Sequence, residues 1–139
     1  LDVWSPGEHN GTFRGHCPAF VSATAALDFW VDNSFEMSVR KKARLVERRL
    51  HAMVQDGELD ATVRGRGLIW GVEFADRELA AQVSQACFER GLIIETAGID
   101  DQVLKLLPSL TISEDDLNHG LDIIEQSLLS VTQESAAQV

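Results

Sequence analysis

Ala61-Thr62-Val63-Arg64-Gly65-Arg66-Gly67-Leu68-Ile69-Trp70-Gly71-Val72-Glu73-Phe74 is the stretch at which the periodicity of this chain changes. In its first part, Thr62, Arg64 and Arg66 alternate with Val63 and glycines. From Leu68 to Phe74 it becomes an apolar run with the length and composition of a buried strand. On either side the apolar spacing is helical. Upstream, Val39, Leu45, Val46, Leu50 and Met53 share one face of a predicted helix from Phe35 to Gln55, with Ser34 placed to cap it and Gly57 to end it. The basic cluster from Arg40 to Arg49 falls largely elsewhere on that helix and reads as a solvated face. Further upstream, Ala19, Phe20, Ala23, Ala26, Leu27 and Trp30 mark a helix within Gly15 to Asp32, with Pro18 tolerated in its first turn.

Downstream, Arg77 to Arg90 reads as a helix closed by Gly91, and short strands follow at Leu92 to Thr96 and Val103 to Leu107. Ser113-Glu114-Asp115-Asp116 sets a cap and three acids at the start of a last helix, where the helix dipole favours negative charge. Leu117, Leu121, Ile124 and Leu128 give that helix its apolar face, and the residues after Val131 are expected to fray. The predicted order is helix, long helix, strand, helix, strand, strand, helix. This is an α/β layer, with helices covering one face of a small sheet.

Composition narrows the function. The chain has 139 residues, 45% of them hydrophobic, enough to bury a core. Its 22 acidic against 12 basic residues give a net charge of −10, which argues against nucleic acid and against an anionic membrane surface. No run is apolar and long enough to span a bilayer. Cys17 and Cys87 form no disulfide framework, which fits a reducing, cytoplasmic setting. His9, His16 and Cys17 lack a metal-ligand spacing, so no metal site is expected. Cys17, just ahead of a proline, reads as a packing residue.

A second stretch carries chemistry. Pro6-Gly7-Glu8-His9-Asn10-Gly11-Thr12-Phe13-Arg14-Gly15 is a polar, glycine-punctuated loop that opens onto the first helix. Such a loop can aim backbone N–H groups and the Thr12 hydroxyl at an anion, with Gly11 permitting close approach because it has no Cβ. It can equally be an ordinary capped turn. Arg64 has two readings as well: a bidentate grip on a carboxylate, with Gly65 and Gly67 letting the backbone run close to a ligand, or a strand-edge ion pair. Arg14 can attract a carboxylate, bridge subunits or stay solvated. Glu8 and His9 can form an acid–base pair or simply hydrogen-bond within the loop.

Three motifs in order resemble the class III aminotransferases of fold type I: Gly7-Glu8-His9-Asn10-Gly11-Thr12-Phe13-Arg14-Gly15, Val63-Arg64-Gly65-Arg66-Gly67-Leu68, and Pro108-Ser109-Leu110-Thr111-Ile112-Ser113. Pro18-Ala19-Phe20 and Gly91-Leu92-Ile93-Ile94-Glu95-Thr96-Ala97-Gly98 are similar to the diaminobutyrate branch of that family, which belongs to ectoine biosynthesis. The resemblance implies pyridoxal 5′-phosphate as cofactor. It implies a homodimer or higher oligomer in which Gly11 and Thr12 meet the phosphate of the neighbouring subunit's cofactor. It also implies that Arg64 binds the carboxylate of glutamate or 2-oxoglutarate, while a small aldehyde, aspartate 4-semialdehyde, accepts the amino group to give 2,4-diaminobutyrate.

The resemblance also implies an absence. The only lysines are Lys41, Lys42 and Lys105, and none stands in the family's Schiff-base lysine motif, so no catalytic residue is assigned within this sequence. The expected object is therefore a C-terminal fragment, inactive alone. Residues 1–33 would end the large cofactor-binding domain, and residues 34–139 would form the small domain, a mostly antiparallel sheet covered by helices. A non-catalytic packing or dimerisation module, and a related enzyme with another amino acceptor, stand as alternatives.

Overall fold

A computed structural model of the chain describes residues 3–8 and 10–136. The chain forms two compact units, Leu1–Glu36 and Met37–Val139. The first holds the glycine-rich loop, helix α1 (Cys17–Ala26) and a 3-10 turn (Leu27–Trp30). None of the residues of α1 or of that turn is buried, although their apolar spacing predicts a packing face. Phe35 meets Phe29 in a tilted contact and Trp30 edge-on, with ring centroids 5.0 and 5.1 Å apart. The start of α2 (Ser34–Asp56) is capped by Asp32, whose carboxylate accepts the Ser34 N–H at 2.7 Å; the serine expected to cap is itself the first helical residue.

The second unit is built on a four-stranded antiparallel sheet with strand order β1-β2-β4-β3. Strands β1 (Ala61–Arg66) and β2 (Ile69–Phe74) form a hairpin, where only one strand is expected from the apolar run. The turn has two residues, Gly67 with φ +61° and Leu68, a placement of glycine typical of tight hairpins. Gly65 lies opposite Trp70, and a Cβ on Gly65 would stand 2.2 Å from the indole ring. The indole occupies that space and donates its N–H to the Gly67 carbonyl at 2.8 Å. Both motif glycines are thus used by the hairpin itself.

Strand β3 (Glu95–Ala97) starts later than expected, and β4 (Val103–Leu106) lies between it and β2. Helix α3 (Leu79–Glu89) closes at Gly91, with φ +87°: Gly91 N–H bonds Phe88 O and Leu92 N–H bonds Cys87 O, the paired bonds of a glycine-terminated helix. Helix α4 (Glu114–Ala136) begins with a serine cap: the Asp116 N–H donates to Ser113 Oγ at 3.0 Å, and the Ser113 hydroxyl donates in turn to the Asp116 carboxylate at 2.7 Å. It extends past Val131 to Ala136, and the rest of the tail expected to fray, 137–139, lies outside the described residues.

One core holds this unit. Val46, Leu50 and Met53 of α2, Trp70, Val72 and Phe74 of β2, Val83 and Cys87 of α3, Leu104 and Leu106 of β4, and Leu117, Leu121 and Ile124 of α4 are all buried together. Because side chains alternate along a strand, the opposite sheet face carries the other residues of β2 and β4. The basic run on α2 is not simply solvated. Lys42 is 4% exposed and donates to Leu110 O and Ile112 O at 2.7 and 2.9 Å, while Arg49 bridges to Asp122 and Glu125 of α4.

Candidate functional site

The sheet face away from the core presents one row across all four strands: Arg64 opposite Gly71, Gly71 opposite Lys105, and Lys105 opposite Glu95. Residues directly opposite one another project on the same face. Gly71 has no side chain, and a Cβ there would come 2.8 Å from Val103 Cγ1. Two cations therefore flank a bare patch of backbone, with Arg64 and Lys105 two strand spacings apart, about 10 Å. Lys105 was not singled out by spacing, since a lone lysine between Leu104 and Leu106 carries no motif. Only the strand register brings it into the row of Arg64.

Each cation has a carboxylate partner. Arg64 is bonded to Glu73, one pair further along β2, and is 65% exposed. Gln102 Nε2 donates to the other Glu73 oxygen at 3.3 Å, and Gln102 Oε1 accepts the Asp100 N–H at 3.1 Å. Gly98, at φ +97°, makes room for the Gln102 amide. Lys105 pairs with Glu95 at 2.6 Å, and this bond together with the lysine charge holds the Glu95 carboxyl below the usual glutamate range. Pairs this open to solvent add little stability, so a ligand carboxylate can take the place of either acid. Beside Lys105 lies an apolar cleft of about 320 Å³ lined by Leu92, Ile94, Leu106, Leu117 and Ile124.

Gly11 and Thr12 belong to the other unit. The loop is held by short-range bonds: Glu8 N–H to Ser5 O, Arg14 N–H to Gly11 O and His16 N–H to Phe13 O. Among the described residues, no protein group takes the Thr12 hydroxyl, the Thr12 N–H or the Phe13 N–H. These are unspent donors on an exposed turn, the arrangement a phosphate needs. The space above Gly11 is taken by the Arg14 side chain, whose Nε would lie 3.1 Å from an added Cβ. His9, and with it the Glu8–His9 pairing, lies outside the described residues. Cys17 is exposed rather than packed.

All three lysines are engaged: Lys41 with Glu114 at 2.7 Å, Lys42 with its two carbonyls, and Lys105 with Glu95. Among the described residues no three His, Cys, Asp or Glu side chains group to hold a metal, and no helix is long and apolar enough to cross a membrane.

Comparison with known proteins agrees with this architecture. The family "Aminotransferase class-III" matches residues 1–128. The chain is 48% identical over 131 residues to a diaminobutyrate–2-oxoglutarate transaminase of Streptomyces coelicolor, covering 92% of the chain and 31% of that protein. It is 49% identical over 147 residues to the enzyme of the same name from Bordetella parapertussis, covering 100% of the chain and 33% of that protein. Among solved structures, acetylornithine aminotransferase from Elizabethkingia anophelis superposes with a TM-score of 0.74 at 30% identity, over 93% of this chain and 34% of that one. N-acetylornithine aminotransferase from Stenotrophomonas maltophilia shares the fold, with a TM-score of 0.70 at 21% identity over 81% of this chain and 31% of that one. The chain thus spans about a third of the length of the relatives it matches.

Proposed function

We propose, from the premise that the chain belongs to the class-III aminotransferase family, that it is the C-terminal part of a diaminobutyrate–2-oxoglutarate transaminase. The full enzyme would move the amino group of glutamate to aspartate 4-semialdehyde in the cytoplasm, giving 2,4-diaminobutyrate for ectoine synthesis. The observation that carries this reading is the identity of nearly half the residues over almost the whole chain to transaminases of that name. In this reading residues 1–33 end the large domain and 34–139 form the small domain.

Pyridoxal 5′-phosphate, when bound, supplies the electron sink that lets an amino group pass between an amino acid and an oxo acid. The parts assigned to this chain are binding and orientation. Thr12 donates its hydroxyl and N–H to the phosphate, and Gly11 keeps the turn narrow enough for the anion to approach, within a homodimer or larger oligomer. Arg64 grips a carboxylate of glutamate or 2-oxoglutarate through its planar fork, leaving Glu73. Lys105, across Gly71, offers a point charge for a second carboxylate, which suits a dicarboxylate donor better than a monocarboxylate one.

The test is steady-state kinetics on the full-length enzyme. Arg64→Lys should raise KM for glutamate by about 10- to 100-fold, the worth of one charge-assisted bond, with the melting temperature unchanged. Unaltered constants would remove Arg64 from the substrate site. One observation favours the second reading, a packing module: Phe20, Leu27, Phe29 and Trp30 are 50–65% exposed. Glutamate-dependent turnover by the full-length protein would set that reading aside.

A further inference from the structure

The chain has three asparagines, Asn10, Asn33 and Asn118, and the structure sets one of them apart. An asparagine side chain can be attacked by the backbone nitrogen of the next residue, provided that nitrogen is free and the backbone can turn toward the side chain. Asn118 lies within α4, where helical geometry fixes the backbone and engages the N–H that follows. After Asn33, the Ser34 N–H is spent on the Asp32 carboxylate at 2.7 Å. After Asn10 comes Gly11, outside any helix or strand, and among the described residues no group takes its N–H. Glycine has no Cβ to hinder the turn toward the asparagine side chain. Asp56-Gly57, which could cyclise in the same way, is closed: the Gly57 N–H bonds Met53 O at 3.1 Å. The Asn10 Nδ2 donates to Gly7 O at 2.8 Å within the exposed loop. The Arg14 side chain stands over Gly11, with Nε 3.1 Å from where a Cβ would be. A positive charge so close favours the deprotonated nitrogen that attacks.

We propose that Asn10 is a site of spontaneous deamidation, and that its conversion weakens the hold of this turn on a phosphate. The first half stands on the loop alone, and the second rests on the reading of Thr12 as a phosphate donor. In the reaction the Gly11 nitrogen loses its proton and bonds Asn10 Cγ, the Cγ–Nδ2 bond breaks, and ammonia leaves with that proton. Water then opens the cyclic imide at one of its two carbonyls, leaving aspartate or isoaspartate. Nothing is oxidised or reduced. Either product sets a carboxylate two residues before Thr12, where it repels an approaching phosphate. Isoaspartate also lengthens the backbone by a methylene and so shifts the Thr12 donors. A phosphate already bound engages the Thr12 N–H and stiffens the turn, so it slows the reaction.

Peptide mass mapping of the full-length enzyme, aged in warm, mildly alkaline buffer with and without pyridoxal 5′-phosphate, tests this directly. Acid should replace the amide at Asn10 at least about 10-fold faster than at Asn33 or Asn118, whose following nitrogens react only after local opening. Saturating cofactor should slow that conversion. Aged apoenzyme, and freshly made Asn10→Asp, should bind pyridoxal 5′-phosphate at least about 10-fold more weakly in an absorbance titration, from the added charge, with circular dichroism unchanged. Asn10→Gln, whose longer side chain cyclises poorly, should age without that loss. If Asn10→Asp does not fold, the aged chain, separated from the unaged by its charge, supplies the comparison. An Asn10 that stays an amide, or converts no faster than the other two, would overturn the proposal. So would unchanged cofactor affinity after conversion, or equal ageing with and without cofactor. If the fresh enzyme binds no pyridoxal 5′-phosphate, the Thr12 reading fails, while the mass map still decides the modification.

Discussion

Lys42 shows how one side chain fixes a loop. A buried ammonium is costly unless its protons are used, and this one donates to Leu110 O and Ile112 O, tying the segment between β4 and α4 to α2. Lys42→Met keeps the aliphatic stem and strands both carbonyls, so urea unfolding should show a loss of about 1–3 kcal/mol. A loss indistinguishable from zero would mean that water serves those carbonyls equally well. The two thiols differ for a similar reason. Cys17 is exposed, whereas Cys87 is fully buried and burial pushes its thiol pKa up. An aromatic disulfide reagent at mildly alkaline pH should therefore label Cys17 at once and Cys87 only after denaturation. Equal labelling rates would contradict the packing of α3.

At the scale of elements, the β1–β2 hairpin depends on its glycines in two different ways. A Cβ at Gly65 collides with the Trp70 ring, so Gly65→Ala should displace the indole and shift tryptophan fluorescence toward the solvent-exposed position. Gly67 meets nothing within 4 Å but sits at φ +61°, so Gly67→Asn, which tolerates that backbone, should be nearly silent. The edge pair of β3 and β4 predicts a pH dependence. Glu95 is depressed in the folded state, so its contribution is present above the ordinary glutamate value of about 4.3 and is lost as pH falls through the lower folded value. The melting difference between the chain and its Glu95→Gln variant should therefore vanish in acid, and a difference that persists there would refute the pairing.

These elements also show what the sequence makes legible. The helices of the second unit, the serine cap at Ser113 and the glycine stop at Gly91 follow from local rules, and they stand where those rules put them. The hairpin is not legible because its first strand alternates arginines with glycines, and the partner of each glycine lies across the turn. The Arg64–Gly71–Lys105 row is hidden for a related reason: strand register is a non-local property, and β4 reaches β2 only after α3 and β3 intervene. Lys42 misleads because a lysine in a basic run looks solvated until its carbonyl partners, some seventy residues away, are in place.

At the scale of the molecule, the role proposed for this chain is binding and orientation, with no lysine assigned to carry the cofactor. Lys41, Lys42 and Lys105 are each engaged by a carboxylate or by carbonyls, so the 139-residue chain with added pyridoxal 5′-phosphate should show no amino transfer. Turnover by the chain alone would show that one of those pairs opens for chemistry. The full-length protein is where the account stands or falls. The most direct measurement is transfer of ¹⁵N from labelled glutamate to aspartate 4-semialdehyde by that protein, read by mass spectrometry. The account predicts ¹⁵N-labelled 2,4-diaminobutyrate formed together with 2-oxoglutarate. Label that stays in glutamate, or passes only to a different acceptor, would contradict it.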